Sequence, residues 1–134
     1  MASIVDIEGI GPAFQEKLAK AGITTVEGLL KDGASKKGRL AIAAASGIDE
    51  GKILDWVNMA DLFRIKGIAS QFAELLKAAG VDTVKELRTR NAANLHAKLE
   101  EVNADKKLTR VVPSLDKVTD FIDQAAKLDP VVTH

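Results

Sequence analysis

The chain has no cysteine, no tyrosine, a single tryptophan and no excess of charge of either sign. Without cysteine there is no disulfide framework and no zinc–thiolate centre. With four Phe and one Trp, Ala and Leu must fill much of any core, as they do where small helices pack closely. Nineteen Lys and Arg balance nineteen Asp and Glu. A dedicated nucleic-acid binder usually shows a basic excess, so this balance weighs against that role while leaving room for a local patch. No apolar run approaches the roughly 18 residues that cross a bilayer, and membrane insertion is not expected. The N-terminal Met-Ala-Ser-Ile-Val-Asp lacks the charged-then-apolar order of a signal peptide. The expectation is a soluble intracellular protein, cytoplasmic or held inside an organelle if imported.

What is present is a globular composition, 46% hydrophobic and 28% charged over 134 residues, which argues against disorder. The length suits one ordinary domain or two small halves sharing a core. The halves resemble each other. Ile7, Gly9 and Ile10 fall on Ile65, Gly67 and Ile68, 58 residues later. At the same spacing, Phe14, Leu18, Ala21 and Gly22 fall on Phe72, Leu76, Ala79 and Gly80, and Thr25, Val26 and Leu29 on Thr83, Val84 and Leu87. Farther along the offset becomes 65: Lys52, Asp55 and Ala60 match Lys117, Asp120 and Ala125, and Ile53, Trp56 and Val57 meet Val118, Phe121 and Ile122. The change implies seven extra residues in the second copy, best placed around Asn103 to Ser114. Matches that are mostly apolar or glycine are what two copies of one packing scheme require.

Stop and start signals place short helices within each copy. Pro12 suits a first helical turn, where its missing N–H costs nothing. Phe14, Leu18 and Ala21 then share a face, and Gly22 is a left-handed cap. Thr24 with Glu27 reads as a capping box for a helix to about Lys31. Ser35 caps a helix to about Ser46, before Gly47. Asp49 caps a fourth carrying Ile53, Trp56, Val57 and Ala60 on one stripe. In the second copy the plan gives Ser70 to Ala79, Thr83 with Glu86, and helices near Leu95 to Val102 and Leu115 to Lys127. No segment alternates with period two, so the expected fold is all-α, with about four short helices per copy. Repeat 1 is taken as residues 1–62 and repeat 2 as 63–134. The first copy begins at its turn with no helix ahead of it, so the C-terminal helix, 115–127, is expected to close on that turn and make one compact pseudo-two-fold unit.

Ile7-Glu-Gly-Ile-Gly11 before Pro12 resembles the hairpin of the helix-hairpin-helix family, and Ile65-Lys-Gly-Ile-Ala69 before Ser70 a weaker version. Ala-Gly-Ile-Thr-Thr-Val (Ala21 to Val26) and Ala-Gly-Val-Asp-Thr-Val (Ala79 to Val84) extend the likeness. The whole, through Leu128-Asp-Pro-Val-Val-Thr133, is similar to an uncharacterised family of stand-alone helix-hairpin-helix proteins. The resemblance implies a SAM-like compact bundle whose hairpins grip the DNA backbone without reading sequence. By resemblance the binding residues are Gly9, Ile10 and Gly11, with Lys66, Gly67, Ile68 and Ala69 opposite. In some relatives the hairpin carbonyls hold a monovalent cation; no other cofactor and no metal is implied. Hairpin N–H groups at the positive end of a helix are suited to a phosphate oxygen.

The chain departs from that pattern where it matters. DNA-binding members commonly place Lys, Arg or Thr after the hairpin proline; here stand Ala13 and Phe14, and in the second copy Gln71 and Phe72. Glu8 puts a negative charge inside the first hairpin, and Ala69 replaces the second glycine of the second, restricting its turn. Arg88, Arg90, Lys106, Lys107 and Arg110 form a candidate basic patch, with a solvated surface as the plain alternative. Trp56, matched to Phe121, reads as core, and Ala41 to Ala45 with Leu40 as an internally packed small-residue surface. No nucleophile, His–carboxylate set or phosphate-cradling loop supports an enzyme. Two functions stay open. The favoured one is a non-catalytic protein-interaction adaptor or scaffold subunit of a larger assembly, suited by apolar Ile10 and Ile68 at the hairpin tips. The alternative is sequence-nonspecific DNA-backbone binding.

Overall fold

The computed structural model describes residues 2–134, and among them every regular element is helical. A single turn of 3-10 helix (Ile4–Asp6) precedes α1 (Pro12–Lys20), α2 (Val26–Gly33), α3 (Lys36–Ser46), α4 (Glu50–Leu62), α5 (Ser70–Ala78), α6 (Val84–Leu87), α7 (Ala92–Lys106) and α8 (Leu115–Lys127). No described helix is long and apolar enough to cross a membrane. The chain divides into two units, Met1–Asp61 with Val131–His134, and Leu62–Pro130.

In the first unit α1 begins at Pro12 after an extended Gly11 and ends where Gly22, at φ 82°, lets the Ile23 N–H return to the Leu18 carbonyl at 2.9 Å. That left-handed step satisfies carbonyls that the helix end would leave bare. The cap of α2 is Thr25, whose hydroxyl accepts from the Gly28 N–H at 3.0 Å. This corrects the expected Thr24 box by one residue, and it is Thr25 that shares its register with Thr83, the cap of α6. Glu27 serves a different purpose: its carboxylate accepts from the Ala2 N–H at 2.9 Å. Ser35 caps α3, and Gly47 ends it in the left-handed conformation. α3 packs on α1 and α2, with Leu18, Ile23, Leu29 and Ile42 buried.

Between α2 and α3 the chain buries a cation that the sequence did not announce. The Arg39 guanidinium donates to the Gly33 and Ala34 carbonyls at 3.0 Å each and to the Thr133 carbonyl at 2.7 Å. Its Nε faces Glu50 at 3.4 Å. Thr133 in turn donates its N–H to Ala34 at 2.8 Å, so the last residues of the chain are tied to the first unit.

The second unit begins its helices with the same devices. α5 starts 58 residues after α1 and has the same nine-residue length; α8 starts 65 after α4 and has the same thirteen. Its core gathers Leu75, Leu76, Val84, Leu87, Leu99 and Phe121, each such burial contributing on the order of 1.5–3 kcal/mol. The extra residues lengthen α7 to Lys106, beyond the expected Val102, and then form a connection that Asn103 braces. Its side-chain carbonyl accepts from the Thr109 N–H at 2.9 Å, and its amide donates to the Thr109 carbonyl at 3.0 Å. α8 packs on α6 and α7 and lies across the turn that precedes α5. Within its own unit α8 serves the turn ahead of α5, and α4 holds the matching place in the register of the other.

Candidate functional site

The two turns ahead of α1 and α5 have nearly the same backbone. In the first, Ile7 donates to Ile4 at 3.3 Å and Ile10 to Ile7 at 3.2 Å; in the second, Ile65 donates to Leu62 at 3.1 Å and Ile68 to Ile65 at 3.2 Å. Gly9 at φ 95° and Gly67 at φ 98° occupy a region that a β-carbon disfavours. The residues before the helices, Gly11 at φ −93° and Ala69 at φ −112°, do not. Ala69 therefore leaves its turn unrestricted, contrary to expectation, because an ordinary extended conformation needs no glycine.

Both glycines make room for an aromatic ring. A β-carbon on Gly67 would stand 2.9 Å from Phe121 Cε1, and one on Gly9 would stand 3.4 Å from Trp56 Nε1. Trp56 meets Phe14 edge to face at 5.1 Å between centroids, and Phe121 meets Phe72 at 6.3 Å. Lys17 and Lys52 hold their ammonium groups 5.7 and 5.5 Å from the Phe14 ring centre, a cation–π arrangement.

The side chains of Ile10 and Ile68 point inward, 4% and 5% exposed. This corrects their expected place at the tips: any partner meets these positions through their backbone alone. Glu8, Gly9, Lys66, Gly67 and Ala69 are exposed, and Gly11 partly so.

The turns differ in how their polar backbone is satisfied. Lys66 donates its N–H to Gln124 Oε1 at 2.9 Å and accepts from Gln124 Nε2 at 3.1 Å. Gln124 is steadied by a second bond from Nε2 to Asp120 at 2.8 Å. At the matching position of α4 stands Met59, which has no polar group to offer. Among the described residues, the backbone N–H groups of Glu8, Gly9 and Gly11 have no acceptor.

The expected basic patch does not assemble. Arg88 and Arg90 precede α7, while Lys106 ends it and Lys107 and Arg110 follow. A fifteen-residue helix separates the two groups, about 21 Å at its axial rise. Arg90 is also engaged, donating to Glu86 at 2.7 Å and to the Gly80 carbonyl at 3.1 Å. Beside it Arg90, Asn91, Asn94 and Lys98 line a shallow depression of about 340 Å³.

Two apolar features face outward. Val111, in the connection braced by Asn103, is 71% exposed, with Leu115 beside it in sequence also exposed. On α3, Leu40 is 51% exposed and Ala41, Ala44 and Ala45 are exposed with it. The small-residue surface expected to pack internally is thus the outer face of α3, because Arg39 and Ile42 take the inner one. Among the described residues no group of three His, Asp or Glu side chains is placed to hold a metal ion.

A family model described as a domain of unknown function (DUF4332) matches residues 8–128. The chain belongs to that family. The DUF4332 match begins within the first turn and ends just past α8, so both glycine turns and the braced connection lie inside the shared pattern. No curated protein and no solved structure matches the chain.

Proposed function

We propose that this member of the DUF4332 family is a non-catalytic protein-interaction module, an adaptor or scaffold subunit built from two diverged helix-hairpin-helix units. The duplication is supported by the paired register of α1 with α5 and α4 with α8, by the twin positive-φ glycines and by the aromatic ring set against each glycine.

The observation that carries the functional reading is the placement of charge. A hairpin that grips a phosphate backbone needs cations beside its N–H groups, because phosphate contacts supply most of the nonspecific affinity. Here the first hairpin carries Glu8, with Lys17 and Lys52 standing over the Phe14 ring, the second has Lys66 alone within its turn, and the candidate patch cations lie toward the two ends of α7. The outward Leu40 face and the braced Val111 are surfaces of the kind a protein partner covers.

The test compares duplex DNA with protein complexes captured in native extract, each at low and raised salt. The reading expects no salt-sensitive DNA binding, and complexes that survive the rise in salt. DNA binding that falls steeply with salt, and is lost in Lys66→Glu, would overturn it and favour the backbone-gripping alternative.

A further inference from the structure

The second hairpin carries its own ligand. A carboxamide from α8 lies against Lys66, accepting from its N–H and donating to its carbonyl at once. Only a group with an acceptor and a donor side by side can do both, and the phosphodiester of a nucleic-acid backbone cannot, since it has no proton to donate. The first hairpin has the same backbone at Glu8 with Met59 in the glutamine's place, so that pair of groups is unmatched among the described residues.

Trp56 adds an independent observation. The residue is 4% exposed, and its indole N–H has no hydrogen-bond partner among the described residues. Buried tryptophan N–H groups usually find one. The nitrogen stands against Gly9, 3.4 Å from where a β-carbon would be. It is not sealed off: the one side-chain polar atom found fully buried and unpaired among the described residues is Asn58 Oδ1. In the second unit the equivalent ring is Phe121, which has no N–H to satisfy. The hairpin bonded by its own glutamine has an aromatic with nothing to donate, and the hairpin with Met59 in that place has one whose N–H finds no acceptor among the described residues.

We propose that the first hairpin is a docking site for a peptide group or side-chain carboxamide of a protein partner. The incoming carbonyl accepts from the Glu8 N–H or the Trp56 indole, and the incoming N–H donates to the Glu8 carbonyl. Glu8 itself favours this ligand over a polyanion, since its charge repels phosphate and is indifferent to a neutral amide. The site rests on the protein-binding reading and names the chemistry of its partner.

The chain's only tryptophan gives one indole N–H resonance, so the test can be read without ambiguity. The whole protein, labelled with nitrogen-15, is titrated with N-acetylglycinamide and, separately, with dimethyl phosphate, a phosphodiester. The amide should move the Trp56 indole signal and the Glu8 and Gly9 amides while leaving Lys66 still; in Gln124→Ala, Lys66 should move as well. Trp56→Phe, which places in the first unit the residue type found at Phe121, should keep the fold and weaken the Glu8 response roughly fivefold to tenfold, the size of one hydrogen bond. An indole signal unmoved by the amide would overturn the site; if complexes still survive raised salt, the protein-binding reading stands and docking lies elsewhere. A response to dimethyl phosphate alone would overturn both.

Discussion

At Lys66 a glutamine lies across the backbone of the turn, and at Glu8 a methionine stands where that glutamine would be. The two units otherwise share their turn geometry, the threonine caps of α2 and α6 and the aromatic tucked against the glycine. They diverge again in where each keeps an arginine. Arg39 lies inside the first unit, 1% exposed, with its guanidinium shared among three main-chain carbonyls and Glu50. Arg90 lies at the surface of the second, bridging Glu86 and the Gly80 carbonyl. One packing scheme thus tolerates opposite solutions: the first unit has a polar brace within and an unmatched turn without, whereas the second has an apolar interior and a turn closed by its own side chain.

The largest expected effect breaks the internal brace. Arg39→Met leaves the Gly33, Ala34 and Thr133 carbonyls without their donor and should destabilise the protein by roughly 3 kcal/mol, as loss of one member of a buried charged network does. Arg90→Met removes exposed bonds and should cost under about 1 kcal/mol. Urea unfolding measures both, and amide exchange should rise in α2, α3 and residues 131–134 for the first variant alone. Equal losses would show that the two arginines are interchangeable surface groups and would end the contrast.

A smaller effect sharpens the likeness between the turns. Gly9→Ala and Gly67→Ala each force a β-carbon into a positive-φ conformation, at about 1–2 kcal/mol. Gly67→Ala should cost about 1 kcal/mol more, because its β-carbon would stand 2.9 Å from Phe121 while that on Gly9 would have 3.4 Å to Trp56. Paired thermal melts read the difference; a milder Gly67 variant would mean that the Phe121 ring yields freely.

Much of this architecture was legible in the sequence, for physical reasons that can be named. Pro12, Gly22, Ser35 and Gly47 each act within a few residues of themselves, so their caps and stops are written locally. The repeated glycines and aromatics exposed the shared turn through their spacing. Three features stayed hidden because they depend on direction or distance. Ile10 and Ile68 were placed at turn tips, but a turn closed onto the preceding residues carries its isoleucines inward. The cations toward the two ends of α7 group as one candidate patch in the sequence, and a helix of that length sets them apart. Arg39 reads as one more charge on a lysine-rich helix, and its principal acceptors are main-chain carbonyls, one of them in a residue 94 positions away. Gln124 could have been found, since the offset that aligns Trp56 with Phe121 also aligns it with Met59 and marks an apolar-to-polar change.

The smallest effect concerns the carboxylate at the start of each second helix. In the second unit Glu86 takes the Arg90 guanidinium; in the first, Glu27 takes the Ala2 N–H, and the Val26 N–H returns to the Ala2 carbonyl at 3.1 Å. The Ala2 bond, together with Glu27's own N–H, holds the Glu27 carboxyl below its ordinary value. A carboxyl whose value is lowered by folding stabilises the folded state fully at pH above the unfolded value, and that stabilisation is lost as pH falls through the lowered one. Protonated, Glu27 no longer accepts as strongly from Ala2, and the N-terminal segment should loosen while α2, capped by the Thr25 hydroxyl, stays formed. Amide exchange at Ala2 and Ser3 should therefore show extra acceleration below the ordinary glutamate range that Glu27→Gln, which keeps an acceptor but cannot titrate, does not show. If both proteins behave alike on acidification, the segment is held by the Val26 bond, and the carboxylate is a bystander at this end of the chain.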